Sequence, residues 1–368
     1  MAPILGAAGR TLPVVCWGDK MKILVYGSGA IGCYLAASLA HCDHEVGLVS
    51  RPETANFIAE KGLTLSQGEQ SFTVRPQLFS SPRQAFLDGQ SYDLLILGMK
   101  SYDLEEALHP LVAFCPQPPP TILTIQNGVG IEPLVIKDFA ANYVLAGSVT
   151  TPVSRETPNH IRVEHAGRGL ALAPAQKGQK IGHWVELFSQ AGIATQALAD
   201  YQAMKWSKAL LNMVGNATSA ILNRLPAVVY RHQPTFKLEM AMLRETLAVM
   251  RAKKLRVVSL PGSPAGQLAF AVRFLPAGLL QPILTRQVAK GRGDKLPSFY
   301  LDLSTGRNKN EVSYHNGAVA QSGRELGIPT PVNAALNDIL GQIVSRQLDW
   351  NSYDGQPQKL VAAVANYR

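Results

Sequence analysis

Hydrophobic positions fall into two regimes along the chain. Up to about residue 199 they gather in short continuous runs, at 23–26, 45–50, 93–98 and 121–125, separated by stretches with helical spacing. Runs of this length, bounded by Gly, Pro or charged residues, predict strands buried on both faces, as in a parallel sheet with helices between them. Ile31, Leu35, Ala36 and Leu39 keep one side of a helix apolar, and 104–112 and 182–191 repeat that pattern. Prolines 116 and 118–120 end the second of these helices in a stiff loop. The stretches 62–74, 143–153, 160–164 and 169–173 read as further β segments, the last three as an antiparallel addition to the sheet, and 193–196 as a short strand. Beyond Asp200 strand signals vanish. Helices are predicted at 201–222, 235–254, 266–274, 282–289, 332–346 and 357–366, with a helix–turn–helix over 298–317 in which Gly306 stops the first helix. A boundary near residue 199 therefore divides a Rossmann-type α/β domain, 21–199, from a mainly helical one, 200–368. Residues 1–20 read as an extension outside the fold.

The first strand runs directly into Gly27-Ser28-Gly29-Ala30-Ile31-Gly32 and then into a helix. Strand, glycine-rich turn and helix are the context in which this spacing indicates a dinucleotide site. Gly27 permits the tight turn, Gly29 lets the backbone approach a pyrophosphate, and Gly32 lets the helix pack on the strand. The helix N-terminus then offers its free amides to the phosphates. The second strand ends in Ser50-Arg51, where an NAD-selective site carries an acidic residue. A guanidinium without a carboxylate suits a 2′-phosphate and so predicts NADP rather than NAD; a merely solvated Arg51 is the alternative. Lys100 stands at the carboxyl end of the third buried run, and Gln126-Asn127-Gly128 at the end of the fourth, where ligands of open α/β sheets bind. In the helical half, Lys208, Asn212 and Asn216 recur every four residues and share one face of an otherwise apolar helix. Such polar groups need partners if buried, and a solvated stripe is the bland alternative.

Composition changes little. The 368 residues, 46% hydrophobic and 17% charged, suit a folded protein with a sizeable core. The net charge of +9 comes from scattered basic residues without interleaved aromatics, so nucleic-acid binding lacks a motif. Cys16, Cys33, Cys42 and Cys115 show no metal-like spacing and read as buried or incidental thiols in a reducing compartment; no metal is expected. The most apolar stretch, 269–284, contains Arg273, Pro276 and Pro282 and is too short to span a membrane. A cytoplasmic protein without a membrane partner is expected, and a homodimer is allowed for.

Taken together, GSGAIG at 27–32, the strand-ending Lys100, Gln126-Asn127-Gly128, the Lys208–Asn212–Asn216 series, Pro297-Ser298 with Asp302 and Gly306-Arg307, and Glu311-Val-x-Tyr-x-Asn316-Gly317 resemble the ketopantoate reductases (2-dehydropantoate 2-reductases) from Met21 onward. The resemblance implies a Rossmann-type domain that binds NADPH. It also implies a helical domain, similar to the C-terminal part of 6-phosphogluconate dehydrogenase, that closes the cleft over a small 2-oxo acid. By the same resemblance Gly27, Ser28, Gly29, Ala30, Ile31 and Gly32 hold the pyrophosphate, and Arg51 and Lys100 contact the adenosine end. Asn127 lies at the nicotinamide and touches substrate. Lys208 is the catalytic lysine and Glu311 its acidic partner. Asn212, Asn216 and Ser298 contact substrate, Ser298 at its carboxylate. The activity implied is reduction of 2-dehydropantoate to (R)-pantoate in pantothenate and coenzyme A synthesis; reduction of another 2-oxo acid, or a non-catalytic NADP(H) sensor, are the alternatives. Two departures stand out: one extra residue between Arg307 and Glu311, and a long basic stretch at 255–295 expected to border the cleft.

Overall fold

The computed structural model describes residues 19–292 and 297–367, so the expectation for residues 1–20 lies almost wholly outside it. The strands in chain order are β1 Lys22–Tyr26, β2 Glu45–Val49, β3 Leu63–Gln67, β4 Gln70–Val74, β5 Gln77–Phe79, β6 Leu94–Leu97, β7 Thr121–Thr124, β8 Val144–Val149, β9 Val153–Thr157, β10 His160–Val163, β11 Gly169–Pro174 and β12 Ala194–Ala197. The main sheet has the order β12-β11-β8-β7-β6-β1-β2-β5. From β5 to β8 all neighbours pair in parallel, and β11 joins β8 antiparallel. Continuous apolar strands make sense here because each side has its own core. Ile23, Val25, Leu94 and Ile96 pack into one layer, while Leu24, Leu95 and Leu97 pack into the other.

The antiparallel addition predicted for 143–173 is only partly of that kind. β8 and β11 extend the main sheet, but β9 and β10 leave it and form a second sheet, β4-β3-β10-β9. β10 aligns in parallel with β3, so these weakly alternating segments find their partners far away in sequence.

After β12 every element is helical, beginning with Tyr201–Met213, whose N-terminus is capped by Asp200 Oδ1 accepting from the amides of Gln202 and Ala203. Trp206, Leu210 and Met213 on this helix enter a core with Phe236, Leu243 and Leu340. The predicted single helix 201–222 is two helices. It stops at Met213, and Ala217–Leu222 resumes it. The cause is the buried Glu239, whose carboxylate accepts from the Gly215 amide at 2.8 Å, Thr218 Oγ1 at 2.6 Å and Tyr230 Oη at 2.8 Å. That demand turns the chain at Gly215, at φ +59°, and a straight helix cannot meet it.

The basic stretch forms the two helices expected of it, Ala265–Phe274 and Ala277–Arg292, the second starting earlier than expected and running through Pro282. Leu280 and Leu284 of the second turn inward, and Gln281 Nε2 donates to the Tyr230 carbonyl at 3.0 Å. The two helices thus pack on the helical core, while the upstream end of the stretch lies between the halves: the Val258 amide donates to Ser207 Oγ at 2.9 Å, and the Pro261 carbonyl accepts from Thr150 Oγ1 at 2.7 Å. Cys33 and Cys115 are buried, with burial pushing their thiols up to about 12 and about 11. Cys42 is disulfide-bonded, which corrects its reading as a thiol. Among the described residues no helix is long and apolar enough to cross a membrane.

Candidate active site in the cleft between the sheet and the helices

The strand order places β1 between β2 and β6, so the crevice at the carboxyl end of β1 is a topological switch point. Gly27 occupies it at φ +114°, and a Cβ there would stand 2.8 Å from the Met99 nitrogen. A Cβ on Gly32 would stand 2.1 Å from the Gly27 carbonyl oxygen, so helix Ala30–His41 can approach β1 only with glycine at that position. Gly29 is different. Its φ is −70°, and a Cβ would find only the Gly98 oxygen, at an ordinary 3.5 Å. The protein itself does not require glycine at 29, and the space it keeps open lies at a helix N-terminus whose cap has no side-chain partner. A pyrophosphate fits that space, with Ala30 and Ile31 opening the helix behind it. Ser50 Oγ donates to Ser28 Oγ at 2.7 Å, so the serine after β2 is turned back to hold the glycine loop. Arg51 follows, exposed at the N-cap of helix Pro52–Lys61, with no hydrogen bond or ion pair to its side chain among the described residues.

The other side of the crevice is more crowded. Lys100 follows β6, which pairs with β1 on the side opposite β2. Its ammonium lies 3.3 Å from Glu311 Oε2 and 3.4 Å from Asp302 Oδ2, both carried by the helical half. Burial alone would lower the Lys100 pKa, but the two carboxylates outweigh it and raise it. Burial raises the Asp302 carboxyl, with Lys100 opposing. Glu311 opens a 3-10 turn, Glu311–Tyr314, rather than the α-helix predicted, and is 1% exposed. Its Oε1 accepts from the Ser101 amide at 3.2 Å and lies 2.9 Å from Ser101 Oγ.

The loop after β7 meets the helical half at close range. Gly128 has φ +94°, and a Cβ on it would stand 2.6 Å from Tyr314 Cβ; the Val129 amide donates to the Tyr314 carbonyl at 2.8 Å. Asn127 Oδ1 accepts from Asn212 Nδ2 at 3.1 Å. Asn216, beyond the break, donates to the Asn212 carbonyl at 3.1 Å and to Ser298 Oγ at 3.3 Å, and accepts from the Phe299 amide at 3.2 Å. The break does not separate the predicted residues: Asn127, Asn212, Asn216 and Ser298 form one hydrogen-bonded line. Lys208 is half-buried on the turn between Lys205 and Asn212, close enough to the buried His315 for its charge to help lower that imidazole's pKa.

Several partners escaped the sequence. Lys205 and Glu132, 2% and 1% exposed, pair at 3.0 Å across the two halves. Removing one member of such a buried pair costs about 3–5 kcal/mol, because the other is left uncompensated. Ser101 has no sequence signal. Arg307 reaches Asp302 and Tyr102 at 3.3 Å each, and Lys309 reaches Asp103 at 2.9 Å, so the loop with the extra residue clasps the segment after β6.

The sequence profile described as Ketopantoate reductase PanE/ApbA matches residues 23–174, and that described as Ketopantoate reductase PanE/ApbA C terminal matches 200–344. The chain belongs to the ketopantoate reductase family. As a member it is an oxidoreductase that works with a nicotinamide dinucleotide. The 2-dehydropantoate 2-reductase of Halobacterium salinarum is 26% identical over 325 residues, covering 87% of this chain and 98% of the relative. That of Pyrococcus abyssi is 25% identical, covering 86% and 95%. A crystal structure of a PanE/ApbA family ketopantoate reductase from Ralstonia eutropha JMP134 superposes with a TM-score of 0.74 at 26% identity, covering 89% of this chain and 99% of that one. A D-mandelate dehydrogenase, at 19% identity and a TM-score of 0.73, shares the fold.

Proposed function

We propose that this family member reduces 2-dehydropantoate to (R)-pantoate with NADPH, in pantothenate synthesis, with Lys208 as general acid. The dividing line falls between β12 and helix Tyr201–Met213, giving a cofactor domain at 21–199 and a substrate domain at 200–368. The observation that carries the reading is the 3.1 Å bond from Asn212 to Asn127, which docks the helix bearing Lys208 onto the loop at the carboxyl end of β7.

When bound, the dinucleotide supplies the hydride. The remaining work belongs to the chain. Gly27, Gly29 and Gly32 shape the pyrophosphate cradle, and Arg51 offers its fork to the 2′-phosphate. Reduction of a 2-oxo acid leaves negative charge on the former carbonyl oxygen. An ammonium at Lys208 stabilises that charge and donates the proton to it. Glu311, carried on the same half, keeps Lys100 and Ser101 in register at the cleft floor. Asn216, whose amide donates to Ser298 Oγ, holds the exposed Ser298 hydroxyl with its hydrogen free for the substrate carboxylate.

The test is spectrophotometric. NADPH oxidation is followed with a panel of 2-oxo acids that includes 2-dehydropantoate. Turnover highest with 2-dehydropantoate supports the reading, turnover confined to another 2-oxo acid replaces the substrate, and no turnover with any member rejects the reductase reading.

A further inference from the structure

Helix Tyr201–Met213 grips the loop after β7 at two points, not one. Besides the bond from Asn212 to Asn127, Lys205 Nζ donates to the Gln126 carbonyl at 3.0 Å. Lys205, Lys208 and Asn212 stand at i, i+3 and i+7, so they share one side of the helix, and Lys208 lies between the two grips. We propose that Lys205 is a positioning residue for the reduction: through the Gln126 carbonyl it sets where Asn127 lies relative to Lys208. The inference deepens the reductase reading and rests on it.

The surroundings of Lys205 favour this role over simple stabilisation. β7 ends at Thr124, so the carbonyl of Gln126 lies past the strand ladder, and Lys205 supplies a donor to it. The Gln126 side chain is buried and ties the same point to the end of β6, Nε2 donating to the Leu97 carbonyl at 2.7 Å and to that of Met99 at 3.2 Å. The ammonium therefore sits on the joint between the segments that carry Asn127 and Lys100. Its counter-charge comes from the sheet side. Glu132 Oε1 lies 3.0 Å from Lys205 Nζ and also accepts from Thr124 Oγ1 at 2.7 Å, which anchors the carboxylate to β7. The cation is thus carried by the helical half and located by the sheet half. For stability alone an apolar pair of similar volume serves as well as a buried ion pair. An apolar side chain at 205 cannot hold the Gln126 carbonyl, and a reacting group displaced by about 1 Å costs on the order of 100-fold in rate.

The deciding comparison is between the wild type and Lys205→Met/Glu132→Leu, an apolar pair that leaves no buried charge and no side-chain donor at the Gln126 carbonyl, Thr124 Oγ1 keeping the Leu145 carbonyl as acceptor at 3.4 Å. Melting temperature, kcat, KM for the 2-oxo acid, the NADPH Kd by fluorescence, and amide hydrogen exchange over residues 126–130 are measured. The expected result is a melting temperature near that of the wild type, an NADPH Kd within about threefold, exchange over 126–130 faster by about tenfold, and kcat lower by about tenfold to 100-fold. Lys205→Arg, which keeps charge and donors, is expected to retain loop protection and most of kcat. A double variant with wild-type kcat overturns the proposal. So does one with reduced kcat but unchanged loop exchange, or one that cannot fold, since Lys205 then serves stability alone. The exchange measurement needs no turnover. If the wild type reduces no 2-oxo acid, the reductase reading falls, while unchanged exchange in the double variant separately rejects the hold of Lys205 on the loop.

Discussion

Glu311 of the helical half and Lys100 of the sheet half meet at 3.3 Å, and the same carboxylate accepts from the Ser101 amide at 3.2 Å. One side chain thus spans the cleft floor and satisfies donors from the far side. Glu311→Ala leaves the partly exposed Lys100 with Asp302 alone and the buried Ser101 amide without its acceptor. Both KM for the 2-oxo acid and kcat are expected to suffer, kcat/KM falling by about 100-fold in steady-state assays. A variant with unchanged constants removes Glu311 from the site.

Lys208→Ala deletes the proposed proton donor and leaves the cradle around Gly29 untouched. We expect kcat to drop by about 10²- to 10⁴-fold, the usual contribution of a general acid, with the NADPH Kd unchanged. Single-turnover kinetics separate the two quantities. Wild-type turnover in this variant rejects the role.

The glycines of the cradle make opposite predictions. Gly32→Ala places a Cβ 2.1 Å from a backbone oxygen and is expected to destabilise the fold itself, seen as a lowered melting temperature. Gly29→Ala meets nothing closer than 3.5 Å and is expected to stay within about 0.5 kcal/mol of wild-type stability, while dinucleotide affinity falls. Intact affinity in Gly29→Ala places the pyrophosphate elsewhere.

Arg51→Ala tests the choice of nucleotide. A charge-assisted bond to a 2′-phosphate contributes about 1.5–3 kcal/mol, so KM for NADPH is expected to rise by about tenfold or more while KM for NADH stays put. Equal changes in both show that Arg51 does not read the phosphate.

The buried His315 sets a pH dependence. Burial holds its imidazole below the ordinary 6.5, the nearby Lys100 and Lys208 add to the effect, and Glu311 opposes it through its charge and through its carbonyl oxygen, 3.0 Å from Nδ1. The folded state then binds fewer protons than the unfolded one. This contribution is complete above about pH 6.5 and is lost as pH falls through the depressed folded value. Asp302, raised by burial, binds protons in the folded state and works the other way at lower pH. The melting temperature is expected to fall from about pH 7 to about pH 5, and His315→Leu, though less stable at pH 7, is expected to show a shallower fall. An identical slope in the variant assigns the effect to other groups.

Much of the cofactor half was legible because its signals are local. A buried parallel strand must be apolar throughout, and the close approach of helix Ala30–His41 to β1 leaves no room for a Cβ on Gly32, so residues 22–32 can be read one after another. Lys208 and Asn212 were legible for the same reason, since three or four residues of α-helix keep neighbours on one side. The four-residue spacing also pairs Asn216 with Asn212, but they meet across a break in the helix at which Glu239 accepts from the Gly215 amide.

The sequence by itself determined the strand runs, the glycine-shaped turn and the change from sheet to helix near residue 199, since each follows from burial and backbone sterics within a short window. Only the tertiary structure decided that Lys100 pairs with Glu311, that Lys205 pairs with Glu132, and that β9 and β10 leave the main sheet. Those outcomes depend on charges and carbonyls brought together from opposite halves of the chain. A buried charge is held only by a partner that folding delivers, and no spacing along the sequence names it.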